Sequence, residues 1–308
     1  MGRKIDKKTV AETISDLSKN LIDKNNGILL GQCLTAVGWV QNTIPKQTKG
    51  IMELPMTDTA GAGIAVGCAL AGSRPVLVIR YQSFLWLNSS PIVMHAAKAK
   101  EIFGYDCPLM IRAIASESEL GQGPLHANAY HSIFAHMPGL NVCSPMTPME
   151  YKKVWNYYIK SKKPIFVSEH RSSYKSSYEY KDEINKSADV TIFGVSSGRI
   201  NANKAHNELK NQKIKSSFSN ILWVKPLKIS KKALNSLKKS KFGIVIDPSY
   251  EFCGVSQSIS YELTKLTGKP VYAMGLKEKS PGVAKRFENG TPSKNQIIKF
   301  VKKKLNLK

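Results

Sequence analysis

Apolar residues change period repeatedly along this chain, and the alternation predicts strands separated by helices from one end to the other. Residues 8 to 24 place apolar positions at helical spacing, and Gly27-Ile-Leu-Leu-Gly31 follows as a short buried strand bounded by glycines. The same reading gives helix 59–71, strand 75–80, helix 90–103, strand 108–114, helix 128–136, strand 140–143, helix 147–160 and strand 164–168. After a polar stretch from Arg171 to Lys186 come strand 189–195, helix 201–211, strand 219–224, helix 230–239, strand 242–246 and helix 254–266. Strands alternating with helices point to parallel sheets covered on both faces. The predicted class is α/β, with two parallel-sheet domains at residues 1–172 and 188–308 and a linker at 173–187.

Length and composition agree with that division. A chain of 308 residues with 42% hydrophobic residues can bury two cores of ordinary size. No apolar run approaches the roughly 20 residues of a membrane-crossing helix. The first thirty residues carry Asp6, Glu12 and Asp16 and lack a signal-peptide core, so a cytoplasmic protein is expected. Cys33, Cys68, Cys107, Cys143 and Cys253 are odd in number and form no C-x-x-C pair, which predicts thiols rather than disulfides or a zinc site.

The net charge of +24 changes the picture less than its size suggests. Lysine dominates diffuse stretches such as Lys225 to Lys241 and Lys302 to Lys304, without the interleaved aromatics of a nucleic-acid groove. Neither nucleic acid nor membrane is predicted as a partner. A solvated face accounts for the lysines, and an acidic protein partner is the functional alternative.

Candidate chemistry concentrates in three places. Glu53-Leu-Pro-Met56-Thr-Asp58 runs into Thr59-Ala-Gly-Ala-Gly-Ile-Ala-Val-Gly-Cys-Ala-Leu-Ala-Gly-Ser-Arg74-Pro75, so an acid opens a small-residue helix. On local pattern alone, Asp58 or Thr57 reads as an N-cap. Phe84 follows the apolar run Val76 to Ile79, flanked by Tyr81 and Trp86, and a core anchor describes it as well as a ligand contact. The third place is Gly121-Gln-Gly-Pro-Leu-His126-Ala-Asn-Ala-Tyr-His131, with His136 five residues on. Five residues advance a helix by about 500°, so these histidines spiral instead of sharing a face, and no metal site is predicted.

These stretches together resemble the β subunit of the E1 component of 2-oxoacid dehydrogenases, a family built from a transketolase-like pyrimidine-binding domain and a transketolase C-terminal-like domain. The likeness is densest from 53 to 171. It includes Pro164-Ile-Phe-Val-Ser-Glu169-His170-Arg171, and in the second half Asp247 and Phe252-Cys-Gly-Val-Ser-Gln-Ser258. The resemblance implies thiamine diphosphate as cofactor and a 2-oxoacid as substrate, decarboxylated and passed to lipoamide. In it Asp58 takes the place of the acid that hydrogen-bonds the aminopyrimidine and activates the cofactor. Phe84 stacks on that ring, Tyr81 and Met56 border it, and His126 faces the substrate. Two positions depart from the family: Asp58 stands for the usual Glu, and Gln32 follows Gly31 where Glu is usual.

The chain has no Gly-Asp-Gly segment, the element that holds the diphosphate through Mg²⁺. The resemblance therefore implies an α-type partner carrying that half of the site and its Mg²⁺, in an α2β2 heterotetramer, with a lipoyl acyltransferase as a further partner. Two other readings stay open: the C-terminal subunit of a split transketolase or related carboligase, and a structural subunit that has lost catalysis.

Overall fold

The computed structural model describes residues 7–35, 38–117, 122–282, 284–286 and 288–307. It divides into two units, one made of Met1–Ile114 and Met137–Glu179, the other of Ala115–His136 and Tyr180–Lys308.

In the first unit the chain runs through α1 (Val10–Lys24), β1 (Gly27–Gly31), β2 (Ile51–Glu53), α2 (Asp58–Leu70), β3 (Arg74–Ile79), α3 (Leu85–Ser90) and α4 (Ala99–Phe103). After β4 (Met110–Ala115) and α5 (His131–His136), which belongs to the second unit, β5 (Asn141–Cys143), α6 (Pro148–Lys160) and β6 (Ile165–His170) complete it. Its strands lie in the order β2-β1-β3-β4-β6-β5, and β1 pairs in parallel with both β2 and β3. Leu29 pairs with Val76 and Gly31 with Val78, so the run Val76 to Ile79 is buried in the sheet interior. Each of these aliphatic side chains contributes about 1.5–3 kcal/mol by leaving water.

Sequence signals fix the helix ends. Thr9 and Glu12 form a reciprocal capping box at the start of α1. Thr147 accepts from Glu150 N and Pro148 occupies the first turn of α6. At the other end of α6, Arg74 donates to the carbonyls of Tyr158 and Ser161 at 3.0 and 2.6 Å, tying that helix to the start of β3.

The helix expected over 90–103 is instead three pieces: α3, a π-helical turn at Pro91–Ala96, and α4. Pro91 has no N–H to donate back along the helix, so the hydrogen-bond register shifts there. The expected helix 128–136 also shortens to α5, because residues 128–130 are irregular. Gly121 lies outside the described residues.

The second unit holds β7 (Val190–Val195), α7 (Gly198–Asn211), β8 (Ser216–Ile221), β9 (Trp223–Lys225), α8 (Lys231–Lys239), β10 (Phe242–Tyr250), α9 (Val255–Thr267), β11 (Val271–Leu276) and α10 (Lys294–Lys304). Four of these strands form a parallel sheet in the order β11-β10-β7-β8. The strand expected over 219–224 is thus two, with Leu222 between β8 and β9. α7 and α10 pack their apolar faces, including Ala202, Leu209, Ile297 and Val301, on one side of this sheet.

His206 sits buried on α7, with Nδ1 at 2.8 Å from Ser216 Oγ and Nε2 at 3.3 Å from Glu183 Oε2. Burial pushes its pKa below the usual imidazole value, outweighing the opposite pull of the Glu183 carboxylate. In the pH range between the depressed folded value and about 6.5, the unfolded chain binds a proton that the folded chain refuses. Stability carried by His206 is therefore full above that range and falls as pH drops through it. Urea unfolding of wild type and His206→Gln at pH 8 and pH 5.5 tests this: the variant should lose less stability on acidification. Equal losses in both proteins would contradict it.

Candidate active site

Asp58 is the first helical residue of α2, and Thr57 before it makes no side-chain capping bond. The Asp58 carboxylate does not cap its own helix. Its Oδ1 instead accepts from Asn88 Nδ2 at 2.8 Å, an amide that also donates to the Phe84 carbonyl at 2.9 Å. A carboxylate at the start of a helix is favoured by the exposed N–H dipoles there. Thr59 fastens the same turn to α3 by donating to the Leu87 carbonyl at 2.7 Å.

Asp58, Asn88 and Phe84 line one cleft with Gly31, Gln32 and Arg80. Its floor is the C-terminal end of β1 and β3, the edge where open α/β sheets hold ligands. At two of its glycines there is no room for a side chain. A Cβ on Gly31 would come within 2.6 Å of the Val78 carbonyl oxygen, and one on Gly61 within 2.8 Å of Leu54 Cδ1. The cleft leaves about 20 Å³ of room for water centres, about the space of one molecule.

Phe84 closes a 3-10 turn, Gln82–Phe84, that follows β3. Behind it Tyr81 is buried, its ring meeting Phe84 edge-on at 6.1 Å and Trp39 at 5.6 Å. Arg171 holds Tyr81 in place, with its guanidinium 4.3 Å from the ring and Nη2 donating to the Arg80 carbonyl at 2.6 Å. Two residues before that arginine, Glu169 on β6 forms a fully buried, two-pronged ion pair with Arg112 on β4.

The predicted residues divide between the two units. Asp58 and Phe84 share the cleft, Tyr81 supports Phe84 from within, and Met56 is 75% exposed just before α2. His126 belongs to the second unit, in a turn where its N–H donates to the Gly123 carbonyl at 2.9 Å. His131 is buried, with Nε2 2.9 Å from Asp247 Oδ1, and Ser132 pairs with Ser249 at 2.8 Å, so α5 is anchored to β10. Sequence reading missed Asn88 and Arg80. The only signal for Arg80 is a cation directly after a buried apolar run. Asn88, thirty residues from Asp58, gives none.

Cys107 and Cys143 are buried, Cys33 and Cys68 half-buried and Cys253 exposed. Burial pushes the Cys107 thiol up to about 11. Among the described residues no group of three or more His, Cys, Asp or Glu could hold a metal ion, and no helix is long and apolar enough to cross a membrane.

Two parallel α/β units, the first with an acid-and-phenyl cleft at the end of its central strands, define a transketolase-type chain. Residues 8–177 match the transketolase pyrimidine binding domain and residues 180–293 the transketolase C-terminal domain, and the chain belongs to this family. It is similar to the pyruvate dehydrogenase E1 component subunit beta of Rickettsia felis, 26% identical over 273 residues that cover 83% of each chain. A 30% identity to the 2-oxoisovalerate dehydrogenase subunit beta of Bacillus subtilis covers 41% of this chain and 38% of that one. A solved split gene transketolase, an inactive beta4 tetramer, superposes with a TM-score of 0.74 over 98% of this chain and 99% of its own. At 15% identity that likeness shows the fold alone.

Proposed function

We propose that this chain is the β-type subunit of a heteromeric thiamine diphosphate-dependent enzyme that decarboxylates a 2-oxoacid such as pyruvate and transfers the acyl group to lipoamide. The observation that carries the reading is the meeting of Asp58 and Phe84 in one cleft, across 26 residues of sequence. The donor set fits the pyrimidine half of the cofactor: a carboxylate on one side, a phenyl ring on the other, and glycines that leave the wall bare between them. The missing Gly-Asp-Gly segment supports an α-type partner that holds the diphosphate and its Mg²⁺, in an α2β2 assembly. Exposed Ile64, Trp86, Leu87 and Met94 on and beside the cleft helices offer apolar surface for such a partner.

When bound, thiamine diphosphate would supply a nucleophilic carbon and a sink for the electron pair that decarboxylation leaves. Asp58 holds a proton against the pyrimidine nitrogen through Oδ2, the oxygen that Asn88 does not engage. Phe84, buttressed by Tyr81, sets the ring's plane; stacking of this kind contributes on the order of 1 kcal/mol. Met56 borders the entrance, and His126 neutralises the substrate carboxylate or passes a proton.

The test is calorimetry on the purified chain mixed with its α-type partner and Mg²⁺. Heat of thiamine diphosphate uptake by the pair, with none for this chain alone, is expected. An absence of heat from the pair would overturn the reading, and lipoamide reduction separates it from a transketolase-type transfer.

A further inference from the structure

The arginine that lines the cleft with Asp58 makes no ion pair among the described residues. Arg80 follows the last residue of β3, is half-buried, and lines the same wall as Asp58 and Phe84. Its guanidinium lies 5.0 Å from the Phe84 ring centre and 5.8 Å from that of Trp39, while Nη1 donates to Cys33 Sγ at 2.7 Å. A thiol sulfur is a weak acceptor, and a guanidinium has five N–H donors and keeps its charge at every working pH. The other described arginines of this unit are differently placed: Arg112 is paired with Glu169, and Arg74 and Arg171 are bonded to main-chain carbonyls. Among the described residues Arg80 makes no ion pair. Asp58, the carboxylate of the cleft, is engaged by Asn88 instead, and Gln32 presents a neutral amide.

We propose that Arg80 is the oxyanion-binding residue of this cleft, gripping the carboxylate of a 2-oxoacid or the phosphate of a phosphorylated sugar beside Asp58. The identity of that anion rests on the proposed function, whereas the site rests on Arg80 itself. Two parallel N–H donors of a guanidinium match two oxygens of either group. Trp39 and Phe84 border the guanidinium, and their ring faces favour its charge. An acid in the place of Gln32 would compete for the same cation; the amide leaves it available.

Trp39 serves as the reporter. Tryptophan fluorescence of the full chain is titrated with pyruvate, with inorganic phosphate and with sodium chloride at matched ionic strength, in wild type, Trp39→Phe, Arg80→Lys and Arg80→Gln. Pyruvate or phosphate should give a saturable change that Trp39→Phe abolishes. Arg80→Gln should weaken it about ten-fold or more, as expected for loss of hydrogen bonds to a charged group, with Arg80→Lys in between. Tighter response to pyruvate assigns the carboxylate, and tighter response to phosphate assigns a phosphorylated substrate. Unfolding midpoints of the variants, matching wild type, exclude a folding defect. Binding unchanged in Arg80→Gln, or a chloride response equal to both anions, would overturn the proposal. Calorimetry of cofactor uptake by the wild-type pair is run beside it: a pair that takes up no thiamine diphosphate while the Arg80-dependent response persists refutes the proposed function and leaves the anion site standing.

Discussion

Glu169→Ala should lower the unfolding free energy by about 3–5 kcal/mol, the cost of leaving a buried charge unpaired. Arg112 Nε donates to Glu169 Oε1 at 2.6 Å and Nη2 to Oε2 at 3.0 Å, with both side chains wholly inside. Tyr174 adds a third donor to Oε2 at 2.6 Å. Burial opposes the charge on Arg112, yet the Glu169 carboxylate holds its pKa above the usual value, so the guanidinium cannot escape by losing its proton. Burial, and after it the same carboxylate, pushes the Tyr174 phenol well up, which keeps it a neutral donor. Replacing both members, Arg112→Met with Glu169→Leu, should recover most of the loss, because no charge is then stranded. Urea unfolding of the two variants checks both results. A loss below about 1 kcal/mol for Glu169→Ala would mean that water reaches the pair. The consequence reaches the cleft as well: two residues after Glu169, just past the end of β6, Arg171 holds Tyr81 and the Arg80 carbonyl.

Elements that bury most of their side chains were the legible ones. The run Val76 to Ile79 reads as a strand because nothing else buries four consecutive apolar residues between Pro75 and a turn. The alternation of such runs with helical spacing suffices to give a parallel α/β chain. What escaped is short or set by distant contacts. β2 has three residues, half-buried or exposed, and β11 is mostly half-buried, so neither shows a clear period. α10 hides its apolar stripe, Ile297, Ile298 and Val301, among lysines. Asp58 and Phe84 were singled out by the motif that each sits in, and the fold brings both to one cleft. Local pattern misassigned the Asp58 carboxylate to a cap, since its partner Asn88 arrives from another helix. Arg80 was passed over for the same reason: whether a cation has a counter-charge is decided by the tertiary fold.

Asp58→Asn should lower the activity of the assembled enzyme by about 10²–10⁴-fold, the usual worth of a positioned proton-transfer group. The change keeps the side chain's shape and an oxygen for Asn88, so unfolding midpoint and cofactor heat should remain close to wild type while lipoamide reduction is lost. Retained activity would remove Asp58 from the chemistry. The more telling substitution is Asp58→Glu, which installs the acid usual in the resembling family. Asn88 Nδ2 stands 2.8 Å from Asp58 Oδ1 and is itself tied to the Phe84 carbonyl, so the amide that orients the carboxylate is fixed for the shorter side chain. A methylene more drives the carboxylate past Asn88 or into the cleft. Activity should therefore fall with Glu and recover in part when Asn88 is shortened to Ala in the same chain, a coupling that a double-mutant cycle measures. A large gain with Glu alone would instead mark the chain as a subunit whose catalysis has decayed.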